Sequence, residues 1–277
     1  MKRIITVQDI SCVGKCSLTV ALPVISAMGV EACVLPTAVL STHTAFKGFT
    51  FRDLTGDIQK ITSHWKQEKI SFDAVYTGYL GSFEQINLMQ ELINDFAGGS
   101  TRVIVDPCMG DNGALYSGFT PDFARAMAGL CAKADVIVPN LTEAAYMLGI
   151  PYIAEGYTKE YVEDLLKKLA GLGARRIVLK GISFDDKKIG IVCYDSESEK
   201  ISWYFHEKMP QNFHGTGDIF ASVLTGALVR GLQLEEACRL AADFVVASIK
   251  ATLSHKDYNW YGVDFEAALY MLTSLSC

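Results

Sequence analysis

The sequence predicts an α/β protein whose doubly wound, mainly parallel sheet carries helices on both faces. Short apolar runs of strand length alternate with longer segments of helical periodicity. Such alternation produces strand–helix–strand units whose strands pair in one parallel sheet. No Pro/Gly/Ser-rich linker, internal repeat or low-complexity tract divides the 277 residues. We therefore expect a single domain over residues 1–277 with a small lid segment.

Glycines and prolines delimit the elements of the first half of the chain. Gly29 ends the first helix, and Pro107 directly follows Asp106 at the end of the fourth strand. The predicted strands are 4–8, 30–35, 73–78 and 102–106, and the predicted helices are 17–28, 53–69 and 83–97.

The second half continues the alternation and adds a hairpin. Pro139 and Asn140 break the chain after a strand, and a polar turn at 195–198 separates two alternating runs, as in paired antiparallel strands. A long apolar-periodic helix follows Gly217. The remaining predicted strands are 134–138, 176–180, 189–194 and 200–206, and the remaining helices are 120–132, 142–148, 158–172 and 234–252.

Residues 37–56 are interpreted as a long functional loop or a small strand-built lid. Apolar cover over a site excludes water, and glycines allow such a cover to move. A core hairpin or a surface for a second subunit explains the same aromatic residues, so these alternatives stay open. The residues concerned are Phe46, Gly48, Phe49, Phe51 and Gly56.

Composition and charge exclude several classes of partner. The chain is 50% hydrophobic and 20% charged, with a formal net charge of −6, and no basic cluster with interleaved aromatics indicates nucleic-acid binding. No apolar run reaches the length of about 18 residues that spans a membrane. The basic N-terminus turns polar at Gln8 and Asp9, which is typical of a first strand and not of a signal peptide. We expect a cytoplasmic protein.

The eight cysteines are expected to be mostly buried thiols in a reducing compartment. None forms a Cys-x-x-Cys pair, and no spacing of cysteine and histidine resembles a zinc site. Cys12 and Cys108 follow strand ends, where a thiol can face a site. No accompanying histidine and acid support a catalytic thiol.

A glycine-rich turn at residues 212–222 leads from a loop into a long helix. Its core is Gly215, Thr216, Gly217 and Asp218. Backbone N–H groups at a helix N-terminus are unpaired and lie at the positive end of the helix dipole, so the turn predicts an anion site. Glycines also allow a ligand to approach the backbone closely. Asp218 then lies beside the anion, and a plain helix N-cap is the alternative for this residue.

Two other phosphate-binding motifs are excluded after the first strand. Gly14 and Lys15 suggest a P-loop, but Asp9 stands where that motif has its first glycine, and Cys16 stands where it has serine or threonine. No Gly-x-Gly-x-x-Gly follows the strand either, so a nicotinamide-dependent enzyme has little support.

Polar residues follow the ends of several predicted parallel strands. Because ligands of doubly wound sheets bind at this edge, we expect these residues to form one cluster. They suit phosphoryl transfer to a hydroxyl, which needs an anion cradle, carboxylates for a metal, positive charge and an acceptor for the proton. The strand-end residues are Asp9, Tyr79, Asp106, Asn140 and Lys180.

Four side chains receive roles on this hypothesis. Asp106 and Glu143 supply carboxylates, Lys180 supplies positive charge, and Asp218 accepts the hydroxyl proton. The helix dipole favours a charged carboxylate, so we expect Asp218 to be ionised at neutral pH and a weak base. A weak base is adequate in a loose transition state, because the hydroxyl proton is lost late.

Structural alternatives stay open for the same region. Asp106 can cap a turn before a proline, and Glu143 follows Asn140 at the spacing of a capping box. Lys180 can be a solvated lysine at a strand end, and Tyr79 can serve in packing alone.

Six motifs in one order resemble the pyridoxal kinases, a family of the ribokinase superfamily. Each motif alone is weak, but six in the family's order at compatible spacing are specific, and the likeness covers nearly the whole chain. The motifs are Val-Gln-Asp-Ile-Ser-Cys-Val-Gly at 7–14, Leu-Ser-Thr-His-Thr at 40–44, Tyr-Thr-Gly-Tyr-Leu-Gly-Ser at 76–82, Asp-Pro-Cys-Met-Gly-Asp at 106–111, Pro-Asn-Leu-Thr-Glu at 139–143 and Gly-Thr-Gly-Asp at 215–218.

The resemblance implies a ribokinase-like fold, a homodimer, and phosphorylation of the 5′-hydroxymethyl group of pyridoxal and related B6 vitamers. ATP and Mg²⁺ are the implied co-substrates, with a monovalent cation as a further candidate. By position, Ser11 and Thr44 match pyridoxal contacts, and His43 and Tyr79 match the ring pocket, without an acid–base role for the histidine. The positions that match ATP and metal sites are Asp106, Asn140, Glu143 and Lys180. Those that match the catalytic base and its anion hole are Asp218, Gly215, Thr216 and Gly217.

Departures from the family pattern concern substrate preference. The loop at 12–16 is Cys-Val-Gly-Lys-Cys where relatives often carry a polar or aromatic run, and Cys108 stands where an aliphatic residue is usual. Hydroxymethylpyrimidine kinases of the same superfamily phosphorylate a similar alcohol, so that activity, alone or beside the first, is the alternative. A non-catalytic vitamer-binding protein is disfavoured because Asp218 and the glycines are present.

Overall fold

The computed structural model describes residues 1–211 and 213–273, so Asn212 of the glycine-rich turn lies outside the described residues. Within them, nine strands form one sheet and two short strands form a separate hairpin. The strands are β1 (Arg3–Ser11), β2 (Glu31–Leu40), β3 (Phe51–Asp53), β4 (Ala74–Thr77), β5 (Arg102–Val105), β6 (Gly110–Asp111), β7 (Ala114–Leu115), β8 (Val136–Ile137), β9 (Arg176–Ile182), β10 (Lys188–Asp195) and β11 (Lys200–Glu207).

The sheet has the order β11-β10-β9-β8-β5-β4-β1-β2-β3. Strands β2, β1, β4, β5, β8 and β9 pair in parallel, whereas β3 and the β10–β11 hairpin add antiparallel edges. The doubly wound, mainly parallel sheet predicted from the sequence is confirmed. The chain places β2 on one side of β1 and β4 on the other, so the winding direction reverses there. Ligands of such folds bind at this switch point.

Local chemistry explains where several helices begin. The side chains of Ser82, Thr120 and Thr158 each accept a hydrogen bond from the backbone N–H three residues later. In the described part of the chain, every helix is too short or too polar to cross a bilayer. The helices are α1 (Leu18–Ala27), α2 (Thr55–Gln67), α3 (Phe83–Phe96), α4 (Pro121–Cys131), α5 (Leu141–Leu148), α6 (Lys159–Ala170), α7 (Thr216–Val229), α8 (Leu234–Leu253), a 3₁₀ turn (Phe265–Ala268) and α9 (Tyr270–Thr273).

Two apolar layers hold the helices on opposite faces of the sheet. Successive strand residues point to opposite faces, so Ile4 packs in one layer and Ile5 in the other. The layer of Ile5 contains residues of α2 to α6, and that of Ile4 contains residues of α1, α7 and α8. Helices α1 and α7 share a layer, and a hydrogen bond between Ser17 and Asp218 holds their N-terminal ends beside each other.

The segment 37–56, predicted to be a loop or a strand-built lid, is only partly a connection in the structure. Residues 37–40 belong to β2, and β3 pairs with Ala38–Leu40, so only residues 41–50 form the connection. Helix α2 begins at Thr55 rather than 53. The predicted strand 134–138 retains only Val136–Ile137. The β6–β7 hairpin and the C-terminal turns were not predicted, because such short elements carry too few residues to show a period.

Candidate active site

The strand-end residues lie along the carboxyl edge of the sheet, close to the switch point. Asp9 is near the end of β1, Tyr79 follows β4, Asp106 follows β5, and Lys180 belongs to β9. A parallel bridge joins Asn140 to Lys180, so the start of α5 is tied to the same edge. The cluster predicted from the sequence is therefore assembled by the sheet.

The N-terminus of α7 has the backbone geometry that the predicted anion cradle requires. Gly215 is its N-cap with φ of 79°, and a Cβ at this residue would lie 2.1 Å from the carbonyl oxygen of Lys15. Glycine is thus required by the left-handed backbone and by the close approach of the loop before α1. The N–H groups of Thr216, Gly217 and Asp218 belong to the first helical turn, whose donors have no intrahelical acceptor.

Asp218 is the third residue of α7, so its alternative role as the N-cap is wrong. Its Oδ2 accepts the backbone N–H of Ser17 at 3.0 Å. This hydrogen bond joins the N-terminal ends of α1 and α7 and sets the orientation of the carboxylate.

The expectation that the Asp218 carboxylate is ionised at neutral pH and only weakly basic does not agree with its surroundings in the structure. Burial raises the pKa of Asp218 to about 7, and the carboxylates of Asp106 and Asp9 add to the rise, whereas the Ser17 N–H and Lys180 oppose it. The helix dipole is outweighed because desolvation and two like charges act on the same carboxylate. A carboxylate with such a pKa can accept a proton near neutral pH, and the catalytic role of Asp218 stays a prediction.

Lys180 and Asp106 form a buried ion pair. Lys180 Nζ donates to both carboxylate oxygens, at 3.0 and 3.1 Å, and the two side chains are 14% and 4% exposed. Burial lowers the pKa of Lys180, but the carboxylates of Asp106 and Glu143 outweigh burial, so its pKa is raised. The lysine keeps its proton, and the alternative of a solvated lysine is wrong.

Asn140 and Glu143 form the capping box that their spacing suggests. The Glu143 N–H donates to Asn140 Oδ1 at 2.9 Å, and the Asn140 N–H donates to Glu143 Oε2 at 2.8 Å. The second glutamate oxygen accepts the N–H of Met109 at 3.1 Å. Burial raises the pKa of Glu143 to about 7. The charge of Lys180 opposes this rise, and the carboxylate of Asp106 adds to it. Glu143 therefore anchors the loop after β5 to the start of α5.

The metal role of Asp106 and Glu143 stays a prediction. Within residues 1–211 and 213–273, no three or more His, Cys, Asp or Glu side chains are grouped to hold a metal. Mg²⁺ in nucleotide enzymes usually takes one or two carboxylates together with substrate phosphates. A carboxylate oxygen can accept more than one bond, so Asp106 and Glu143 can still supply the one or two carboxylates that Mg²⁺ needs.

The loop between β1 and α1 contains contacts that the sequence did not reveal. The hydroxyls of Ser11 and Ser17 donate to the two oxygens of Asp9, at 2.8 and 2.6 Å, and all three residues are buried. Ser17 has φ of 51°, an uncommon value for serine that is typical of strained functional loops. Ser17 thus contacts Asp9 through its hydroxyl and Asp218 through its N–H. In the sequence, the position of Ser17 at the start of a predicted helix was the one feature that could have indicated these contacts.

His43 is a satisfied loop histidine, as expected. Its Nε2 lies 3.0 Å from the carbonyl oxygen of Tyr261, and its Nδ1 accepts the N–H of Ala45 at 3.2 Å. These partners place the proton on Nε2. Burial lowers the pKa of His43, so the ring is neutral.

The other three predicted ring contacts differ in exposure. Ser11 is buried against Asp9, Thr44 is exposed, and Tyr79 is partly buried with its ring 5.6 Å from Phe119. Burial raises the pKa of Tyr79 to about 12, so its hydroxyl stays protonated. Packing is thus one role of Tyr79, and a vitamer contact stays a prediction.

Aromatic residues of a distant loop cover the segment 41–50. The ring of Phe46 lies 4.6 Å from that of Trp260, 5.5 Å from that of Tyr261 and 5.0 Å from that of His43. Sequence reasoning missed Trp260 and Tyr261 because more than two hundred residues separate them from the segment. The contacts are consistent with apolar cover of a site.

Replacing Gly215 with alanine should destabilise the protein by at least about 2 kcal/mol, from the left-handed backbone and the clash with Lys15. Because the loop before α1 must move, turnover should also fall. Gly156→Ala is the matched control, since Gly156 has φ of 75° with open space around it and should lose only about 1 kcal/mol. Urea unfolding and turnover of both variants test this, and equal losses would contradict the role of the contact.

A doubly wound sheet, a glycine-rich helix N-terminus and an adjacent buried carboxylate are features of α/β phosphotransferases that act on alcohols. A sequence profile of the phosphomethylpyrimidine kinase family matches residues 20–261. The chain belongs to this family of kinases.

Relatives confirm the resemblance to pyridoxal kinases. The pyridoxine kinase of Bacillus subtilis (strain 168) is 30% identical over 194 residues, which are 68% of each chain. The pyridoxal kinase structure from Lactobacillus plantarum is 31% identical with a TM-score of 0.91, and the match covers 99% of this chain and 98% of the other. A Bacteroides thetaiotaomicron protein, described as a phosphomethylpyrimidine kinase and crystallised with pyridoxal, is 39% identical with a TM-score of 0.93 and coverage of 98% and 95%.

Proposed function

We propose that this chain transfers the γ-phosphoryl group of ATP to the 5′-hydroxymethyl group of pyridoxal and related B6 vitamers. The observation that carries the proposal is Asp218, a base with a pKa of about 7 in the first turn of the cradle helix. An alcohol needs an acceptor for its proton, and a phosphoryl group needs positively polarised donors. One helix end meets both needs. The pyridoxal bound in the Bacteroides relative supports the substrate class.

The cradle and Lys180 are proposed to hold the transferring phosphoryl group. A Cβ at Gly217 would lie 3.8 Å from Lys180 Nζ, so the ammonium lies beside the backbone donors and can share their anion. Asp106 and Glu143 would hold Mg²⁺, and Asn140 would face the ATP phosphates. When bound, Mg²⁺ supplies charge neutralisation on the phosphates.

Asp218 is proposed to accept the proton of the 5′-hydroxyl as the new O–P bond forms. The Ser17 N–H holds Oδ2, which leaves Oδ1 to orient the alcohol. A base with a pKa near ambient pH combines a useful ionised fraction with proton affinity. The donors of the cradle then stabilise the charge that develops on the phosphoryl oxygens.

The pH dependence of kcat/KM should show this base. Activity should fall as pH drops through about 7, because protonated Asp218 cannot accept a proton. Asp9→Asn removes a carboxylate that raises the pKa of Asp218, so the acidic limb should move to lower pH. Ionisations of the substrate affect both proteins equally and cancel in the comparison. A limb at the same pH in the two proteins would contradict the assignment.

The vitamer ring is proposed to lie between the strand ends and the segment 41–50, in contact with Ser11, His43, Thr44 and Tyr79. The segment would act as the lid in place of the predicted 37–56, with Phe46 as its apolar cover. Exclusion of water would limit hydrolysis of ATP. We further propose a cytoplasmic homodimer, which gel filtration with light scattering tests. A monomer would contradict it.

Hydroxymethylpyrimidine phosphorylation is the second candidate, alone or together with the first. A relative from Bacillus subtilis (strain 168), named hydroxymethylpyrimidine/phosphomethylpyrimidine kinase, is 29% identical over 189 residues, and the same base and cradle would serve a similar heteroaromatic alcohol. Coupled ATP turnover with Mg²⁺ on pyridoxal, pyridoxine, pyridoxamine and hydroxymethylpyrimidine separates the two. Preferred turnover of B6 vitamers supports the proposal, and preferred turnover of the pyrimidine overturns the substrate while keeping the mechanism. Binding without turnover would indicate a non-catalytic protein.

A further inference from the structure

Four buried polar side chains lie behind the proposed base without a hydrogen-bond partner among the residues that the structure describes. Each is 0% exposed, and Gln8 leaves both ends of its amide unpaired. Buried polar groups without a partner are destabilising, and protein interiors usually satisfy them with ordered water. The side chains, called here the inner polar cluster, are Thr6, Gln8, Tyr76 and Ser222.

Two neighbouring strands bring three of these side chains together. Thr6 and Tyr76 are paired residues of β1 and β4, and Gln8 points to the same face as Thr6. The side chain of Gln8 lies over Gly78, where a Cβ would be 3.0 Å from Gln8 Cγ and 3.3 Å from its Nε2. Glycine at this position therefore makes the space that the amide occupies.

Helix α7 connects the cluster to the base. Ser222 follows Asp218 by four residues, about one helical turn, so both project from the same side of the helix. Burial raises the pKa of Tyr76, and the carboxylates of Asp106 and Asp218 raise it further, as expected for a hydroxyl near both. A side-chain hydrogen bond from Ser222 opposes that rise, although the contact between the two hydroxyls is outside strict hydrogen-bond geometry. Because a hydroxyl can donate one hydrogen bond and accept two, each can also bind a third partner.

We propose that the inner polar cluster binds ordered water behind Asp218, and that Tyr76 positions the base through this water. An internal water needs two to four polar partners, and Tyr76, Ser222 and the Gln8 amide supply them. A water that donates to the carboxylate favours its charged form and limits its rotation. The inference rests on the proposed function, in which Asp218 is the base.

The kinetic test is Tyr76→Phe, which removes one hydroxyl and keeps the ring. We expect kcat to fall about fivefold with KM unchanged, and the acidic limb of kcat/KM to rise by about half a pH unit, the worth of one net hydrogen bond. Ser222→Ala should act in the same direction. The titratable or charged groups near Asp218 stay constant in both variants; they are Asp9, Cys16, Asp106, Cys108, Tyr116 and Lys180.

Thr77→Val is the matched control. Thr77 is the next residue of β4, is also 0% exposed and also has an unpaired hydroxyl, but it points to the opposite face. If removing any buried hydroxyl lowered kcat, Thr77→Val would lower it too. The acidic limb of kcat/KM should stay at the wild-type pH in this variant. The proposal would be overturned if the acidic limb of kcat/KM lay at the same pH in the wild-type, Tyr76→Phe and Thr77→Val proteins.

The structural test is crystallography of the wild-type protein and of Tyr76→Phe. We expect a water within hydrogen-bond distance of Tyr76 Oη and Ser222 Oγ, and its loss or displacement in the variant. A dry cluster in a well-ordered crystal would overturn the proposal. This result needs no substrate, so a wild-type protein that phosphorylates no vitamer would refute the proposed function without deciding the water site.

Discussion

Replacing Asp218 with asparagine is expected to lower kcat by about 10²- to 10⁴-fold, the usual contribution of a general base. Asparagine keeps an oxygen for the Ser17 N–H, so the loop before α1 should stay in place, but the amide cannot take a proton. Steady-state turnover of pyridoxal at pH 8, where the wild-type carboxylate is ionised, measures the loss. Turnover within a few-fold of wild type would contradict the assignment.

Stability should move in the opposite direction in the same variant. The folded-state pKa of Asp218, about 7, lies above its ordinary value of 3.8. The folded protein therefore loses stability as pH rises from about 4 to about 7, because ionising the buried carboxylate is unfavourable. The amide has no such ionisation. Thermal unfolding at pH 8 should show Asp218→Asn to be at least as stable as wild type, with the gain disappearing towards pH 4. A less stable variant at pH 8 would contradict this account.

Replacing Lys180 with methionine is expected to lower the free energy of unfolding by about 3–5 kcal/mol, the usual effect of breaking a buried ion pair. The carboxylate of Asp106, only 4% exposed, would lose its two hydrogen bonds from the ammonium and remain desolvated. Turnover should also fall, because the ammonium beside the cradle is gone. Urea unfolding at pH 7 measures the stability, and coupled ATP turnover measures the activity.

Two comparisons isolate the buried pair. Lys66→Met breaks an exposed pair with Asp95, 2.7 Å long with side chains 50% and 35% exposed, and should cost less than about 1 kcal/mol. The double variant Lys180→Met, Asp106→Asn should recover most of the stability but none of the activity, since the uncompensated charge is removed. If Lys180→Met and Lys66→Met lowered the free energy of unfolding by the same amount, burial would not strengthen the Lys180–Asp106 pair.

Much of the fold was predictable because periodicity and chain breaks are local properties. The parallel sheet, its hairpin edge and most helices follow from alternating apolar patterns, and the capping box of Asn140 and Glu143 follows from their spacing. The glycine-rich turn was equally visible, since Gly215 is needed for the backbone conformation itself. Strand β3 was not predictable from local patterns, because it depends on pairing with β2.

Local patterns were thus sufficient for the fold class, for the glycine-rich turn at the start of α7 and for the placing of polar residues at strand ends. The protonation state of the site required the tertiary structure. The helix dipole alone suggests an ionised Asp218, whereas burial and the carboxylates of Asp9 and Asp106 raise its pKa to about 7. These groups are far apart in the sequence and meet at one edge of the sheet. A pKa depends on everything that surrounds the carboxylate, so only the folded chain could decide at which pH Asp218 ionises.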